Sequence, residues 1–118
     1  MDAPIEIKTE RDLRAALAGY RNFEIEVYVA TFHIPKGMVS TYARIAKRVG
    51  KPKAARAVAN ALRNCPFYPI IPAHRVVSSD GSFSGGLKNA ASRRMLIKEE
   101  GIPIQGGRVN MSPEIIYE

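Results

Sequence analysis

The sequence predicts a mainly α-helical domain with a small β hairpin, arranged as a winged helix-turn-helix. Three observations predict it. Two short helical patterns meet at Gly50-Lys51-Pro52, two β-prone pieces flank Asp80-Gly81, and 118 residues are enough for one hydrophobic core but not for two. The expected organisation is an N-terminal helical extension over residues 1–22, followed by the domain proper over 23–118.

Each element has its own local reason. Thr9 can cap a helix running to about Gly19, with Asp12 at the capping-box position and Gly19 as its stop. In "NFEIEVYVATFHIPKG", Ile25, Val27 and Val29 alternate like a strand, whereas Phe23, Val27, Ala30 and Ile34 fit a helical stripe. Asn22 as cap, and Pro35 and Gly37 as terminators, favour the helix. His33, in its last turn, reads as a charge partner for the helix end rather than as a ligand. Ser40 or Thr41 caps a helix to about Val49, with Tyr42, Ile45, Ala46 and Val49 spaced by three and four. After the Gly-Lys-Pro break, Lys53 to Arg63 reads as the second helix of the pair. "CPFYPIIPA" is punctuated by proline and cannot be regular helix; a rigid, extended and largely buried loop is expected. "RVVSSDGSFSGG" reads as the hairpin or wing, residues 90 to 100 as a last helix ended by Gly101, and the tail as a short strand or coil.

Charge narrows the partner. From residue 27 to residue 79 there is no acidic side chain, while nine cations fall there against a chain total of +7, which leaves −2 on the rest. Such a block favours a polyanion through counterion release, and nucleic acid is the leading partner. One cysteine, Cys65, excludes an internal disulfide, and with two histidines it is too few for a closed zinc site. No metal or other cofactor is expected. The charged opening "MDAPIEIKTERD" lacks the apolar core of a secretory signal, and no apolar run approaches a membrane span. The expectation is a monomeric intracellular protein, in cytoplasm or nucleoid, or in the nucleus of a eukaryote.

The stretch "VSTYARIAKRVGKPKAARAVANALRNCPFYPIIPAHRVVSSDGSFSGGLK" resembles the DNA-binding domain of the O6-alkylguanine-DNA alkyltransferases, and the likeness runs from about Phe23 to Gly101. Members of that family flip a guanine alkylated on O6 out of duplex DNA and move the alkyl group irreversibly to a cysteine in "PCHR". Here that position is Ala73. A methyl side chain has no thiolate to offer, so transfer at Ala73 is chemically impossible. The resemblance is therefore to the alkyltransferase-like branch, which binds O6-alkylguanine without repairing it and hands it to nucleotide excision repair. Roughly twenty residues precede the matched stretch instead of an accessory domain, which also fits that branch.

The resemblance implies roles residue by residue. Arg56 in "KAARAV" matches the arginine finger that fills the space left by the flipped base. Tyr42 matches the tyrosine that crowds the 3′ phosphate, while its helical spacing also fits simple core. Thr41, Lys53, Ala54, Ala55 and Ser79 complete the expected DNA surface, with small alanines letting a helix approach the minor groove. The lesion pocket is expected from Tyr42, Leu62, Ala73, Val76, Phe83, Ser84 and Gly85. Ser84 would donate to O6, and the carbonyls of Ala73 and Val76 would accept from the guanine amino group; Gly85 and Gly86 let the lid turn. His74 and Glu100 match the pair that activates the family's cysteine, and without that cysteine they are expected to serve as a buried bond holding the loop. The family's asparagine before the loop proline is replaced by Cys65, with Asn64 one residue early. Two other functions fit parts of the sequence: a suicide methyltransferase whose cysteine was changed to Ala73, and a winged-helix transcription regulator that reads one operator.

Overall fold

The computed structural model describes residues 6–83 and 87–117. Helix α1 (Glu10–Ala16) leads to α2 (Asn22–Phe32), and a two-residue strand β1 (Ser40–Thr41) opens directly into α3 (Tyr42–Arg48). Helix α4 (Ala55–Arg63) follows, then a single tight turn of helix at Ala73–Arg75, strand β2 (Val76–Val77), helix α5 (Leu87–Glu99) and strands β3 (Ile104–Gln105) and β4 (Arg108–Val109). The fold is mainly helical with small strands, as the sequence predicts.

Local chemistry sets the helix ends. Thr9 and Asp12 form the expected reciprocal cap: the Asp12 amide donates to Thr9 Oγ1 at 3.2 Å and the Thr9 amide to Asp12 Oδ2 at 3.2 Å. The helix stops at Ala16, short of Gly19. Asn22 is not the cap of α2 but its first residue; Arg21 holds the cap position, and its amide donates to Glu24 Oε1 at 3.4 Å. Helix α2 buries Val27, Tyr28, Val29, Ala30 and Thr31 in succession. Its second half, buried on every side, has no polar stripe, which is why that part of the sequence reads equally as a strand. Its Tyr28 hydroxyl donates to the Ala61 carbonyl at 2.9 Å and so ties α2 to α4.

Thr41 caps α3, accepting from the Arg44 amide at 3.1 Å. The helix closes with Gly50 N donating to Lys47 O at 3.0 Å and Lys51 N to Ala46 O at 2.9 Å, the crossed pair of bonds that ends a helix sharply. Helix α4 begins at Ala55, two residues later than expected, and buries Val58, Ala61 and Leu62 at helical spacing. Leu13 and Leu17 from the N-terminal extension are fully buried in the same cluster as Val27, Ile45 and Val58, so the extension is part of the core that holds the helix pair.

The hairpin lies elsewhere than expected. Val76–Val77 pairs in parallel with Ser40–Thr41, and the antiparallel hairpin is β3 with β4, in the tail. Around the Asp80-Gly81 turn, Gly81 N donates to Ser78 O at 2.8 Å and Ser78 N to Ser82 O at 2.9 Å, but no strand pairing extends from it among the described residues. That turn instead docks on β4: Val109 N donates to Gly81 O at 2.9 Å, and a Cβ on Gly81 would meet Val109 O at 2.2 Å. No larger residue fits there. A second cluster, Val39, Val77, Ile97, Ile102 and Val109, packs beneath this tail.

Candidate nucleic-acid interface

Eight of the nine cations of the basic block, Lys36, Arg44, Lys47, Arg48, Lys51, Lys53, Arg56 and Arg63, stand exposed; Arg75 turns inward. Seven of the eight lie on α3, α4 and the turn between them, at 44, 47, 48, 51, 53, 56 and 63. Arg56 sits in the first turn of α4, exposed and without an ion pair among the described residues. Ala54 and Ala55 are half-buried beside it, and α4 has no side-chain cap, which leaves its first amides open to an anion. Ser79 is exposed in its turn. Thr41, 4% exposed, has its hydroxyl committed to the cap of α3, and Tyr42 is 8% exposed in the core.

Of the expected pocket residues, Tyr42, Leu62 and Val76 are buried in the first cluster and Ala73 is half-buried against it. Phe83 packs instead on the second cluster. Ser84 and Gly85 lie outside the described residues, as does Gly86.

The loop leading to Ala73 is not extended as expected. Residues 66–70 form successive turns, with a cis bond at Tyr68-Pro69 and Phe67 at φ 56°. Nor is it largely buried: Ile71 and Pro72 are buried, but Tyr68 and Ile70 are 45% and 41% exposed. Proline reads as rigidity in a sequence without saying which side of the chain meets water.

What pins the loop is a clamp of three side chains. His74, 3% exposed, makes a 3.0 Å hydrogen bond from Nε2 to Glu100 Oε2. Arg75 grips the same carboxylate with two bonds, Nε to Oε1 at 2.9 Å and Nη2 to Oε2 at 2.8 Å, and its Nη1 donates to the Ile34 carbonyl at 2.8 Å. One carboxylate just past α5 thus joins the loop to that helix, and the Arg75 guanidinium extends the link to the segment after α2. Burial alone would raise the Glu100 carboxyl, but the hydrogen bonds from Arg75 and His74 outweigh it and hold the group below its usual 4.5. His74 Nδ1 is buried with no hydrogen-bond partner among the described residues.

Sequence reasoning foresaw the His74–Glu100 bond but not Arg75, whose place in "HRVV" beside a buried histidine was the available signal. It also passed over Tyr68, whose ring stands edge-on to His74 at 5.7 Å and 89°. Asn64 does not replace the family's asparagine: its side chain turns back to the Asn60 carbonyl at 3.5 Å. Cys65 is half-buried, its Sγ 3.4 Å from the Pro66 carbonyl, and burial pushes its thiol up to about 12.

The sequence profile of the 6-O-methylguanine DNA methyltransferase DNA binding domain matches residues 22–102. Helix pair, exposed cations and clamped loop together make this a DNA-binding domain of DNA-repair type. A methylated-DNA–protein-cysteine methyltransferase of Methanosarcina acetivorans is 38% identical over 90 residues, which cover 76% of this chain and 57% of that protein. A DNA base-flipping protein of Vibrio parahaemolyticus is 37% identical over 82 residues, 70% of this chain and 82% of that one. Among solved structures, S. pombe Atl1 in complex with damaged DNA containing O6-carboxymethylguanine superposes with a TM-score of 0.72 at 33% identity, over 81% of this chain and 94% of that one. The chain belongs to the O6-methylguanine-DNA methyltransferase family, and it spans little more than half the length of the Methanosarcina enzyme.

Proposed function

We propose that this protein is a non-enzymatic sensor of DNA damage: it binds duplex DNA, flips O6-alkylguanine into a pocket without an acceptor thiol, and presents the lesion to nucleotide excision repair. The observation that carries the reading is Ala73, set immediately before the buried His74–Glu100–Arg75 clamp. The site keeps the support of a nucleophile without the nucleophile. Cys65, the one cysteine in the sequence, does not take its place, since a half-buried thiol pushed up to about 12 holds almost no thiolate at neutral pH. Exposed cations on α3 and α4 support the duplex as partner, and Arg56 on the first turn of α4 is the residue we assign to fill the emptied stack. Action as an intracellular monomer belongs to the same proposal.

The test is a titration of matched duplexes with and without O6-methylguanine. The lesion duplex is expected to bind more tightly, because unstacking costs a few kcal/mol and an alkyl group in an apolar pocket offsets about that much. Equal affinity for the two would refute the sensor and favour a regulator that reads sequence. Transfer of the methyl to protein would restore the enzyme. Affinity for both duplexes is expected to fall steeply with salt.

The same titration separates two exposed cations. Arg56→Ala is expected to weaken lesion binding more than plain binding, since it removes the group that stabilises the extruded state. Lys53→Ala, a phosphate contact, should weaken both alike. Indistinguishable effects on the two duplexes would show that Arg56 does not enter the stack.

A further inference from the structure

Helix α5 uses one face for the fold and leaves another to solvent. Its buried residues include Ala90 and Ile97, and the adjacent face carries Arg94 and Met95 with Lys98 one turn further on. The chain that follows the helix runs back beside this face, so that Ile102, Pro103 and Ile104 form the other wall of a groove of about 620 Å³. Ile102, 2% exposed, is its floor, and Met95, 64% exposed, stands at its lip as an apolar side chain with nothing of the described chain to cover it. Neither Arg94 nor Lys98 makes an ion pair among the described residues, and no acidic residue lines the groove.

We infer that this groove is a docking site for an acidic amphipathic segment of a protein partner. An apolar floor with an unpaired cation pair along one wall is complementary to a segment with bulky apolar side chains on one face and carboxylates on the other. A nucleic-acid strand would satisfy the cations but gains nothing from Met95, Pro103 and Ile104, which is why a protein segment fits better. The groove also lies apart from the DNA surface. Its lining comes from α5 and residues 101–104 and includes none of the cations of α3 and α4, so the inference has the duplex and the partner held together. This inference stands on the groove alone and does not depend on lesion recognition.

The probe is a short fluorescein-labelled peptide with Leu and Phe on one helical face and Asp and Glu on the other, titrated with the whole protein by anisotropy. A second peptide carries Lys in place of the acids. Saturable binding of the acidic peptide is expected, with none of the basic one. Met95 and Lys98 are exposed, so Met95→Asp and Lys98→Glu are expected to keep the melting temperature while weakening the acidic peptide by at least about tenfold each. Saturating plain duplex should leave peptide binding unchanged. Failure of the acidic peptide to bind, equal binding to both variants, or displacement by duplex would overturn the inference. A loss of duplex affinity in Lys98→Glu would reassign the groove to nucleic acid, and a concentration-dependent dimer abolished by Met95→Asp would reassign it to a second copy of the chain; either result also overturns it.

Discussion

Incubated with duplex DNA containing O6-methylguanine, the Ala73→Cys variant is expected to gain one methyl group, read by mass spectrometry as a single adduct on the introduced thiol. The unsubstituted protein should gain none. In this step the thiolate attacks the methyl carbon, the carbon–O6 bond breaks with its electron pair left on the base, and the base takes up one proton, balancing the one lost by the thiol, to become guanine. His74 follows position 73 directly, is held by Glu100 at 3.0 Å, and has its Nδ1 unpaired among the described residues, so a ring nitrogen remains to accept the thiol proton, which the prediction requires. Transfer is expected to be slow. Cys65 stands where the resemblance implies an asparagine that braces the loop, and a nucleophile misplaced by about an ångström can lose on the order of a hundredfold in rate. No adduct, despite retained lesion binding, would mean that the clamp now serves only the fold; an adduct at Cys65 in unsubstituted protein would overturn the non-enzymatic reading.

Replacing Glu100 should be the most destabilising single change among the site residues. Glu100→Ala strands Arg75 and His74, whose side chains are only 16% and 4% exposed, and removing one partner from such a buried cluster costs about 3 kcal/mol. Urea midpoints at constant slope would measure it, and a loss within about 0.5 kcal/mol of zero, the range of ordinary surface changes, would show that the clamp is not needed for folding. The same carboxylate sets an acid limit. Its folded value lies below its usual 4.5, so the clamp's contribution is fully present above that value and is lost as the pH falls through the lower, folded one. Stability of the wild type should therefore drop below about pH 4.5 more steeply than that of Glu100→Gln, which carries no proton-linked charge there.

What could be read from sequence was what short-range chemistry decides. Thr9 with Asp12 and Thr41 before Tyr42 specify helix starts through side chains three residues apart, and Gly50 ends α3 within the same window. Long-range pairing was not legible. Val76–Val77 looks like half of a hairpin because Asp80-Gly81 follows it, yet its partner is Ser40–Thr41, and no local pattern encodes that choice. The true hairpin had a signal that was passed over: Gly106 and Gly107 sit at φ 60° and 78°, the two left-handed positions that a tight antiparallel turn requires. At the site, family likeness pointed to His74 and Glu100, whereas Arg75 joins them only because the loop folds its guanidinium back toward α5 and the Ile34 carbonyl.

The segment entering the helix-turn-helix is closed from the far end of the described chain. Val39 N donates to Ile115 O at 2.7 Å, Tyr117 N donates to Val39 O at 2.8 Å, and the Tyr117 ring lies 5.4 Å from the Arg48 guanidinium on α3. A chain still being synthesised can assemble α1 to α4 from near neighbours, but the bonds to Val39, the residue before β1, arrive only with residues 115–117, after the intervening chain has been closed at an entropic cost. On the ribosome, α3 and α4 should therefore form early and tighten last, so that a nascent chain carries its positive surface before that surface is rigid.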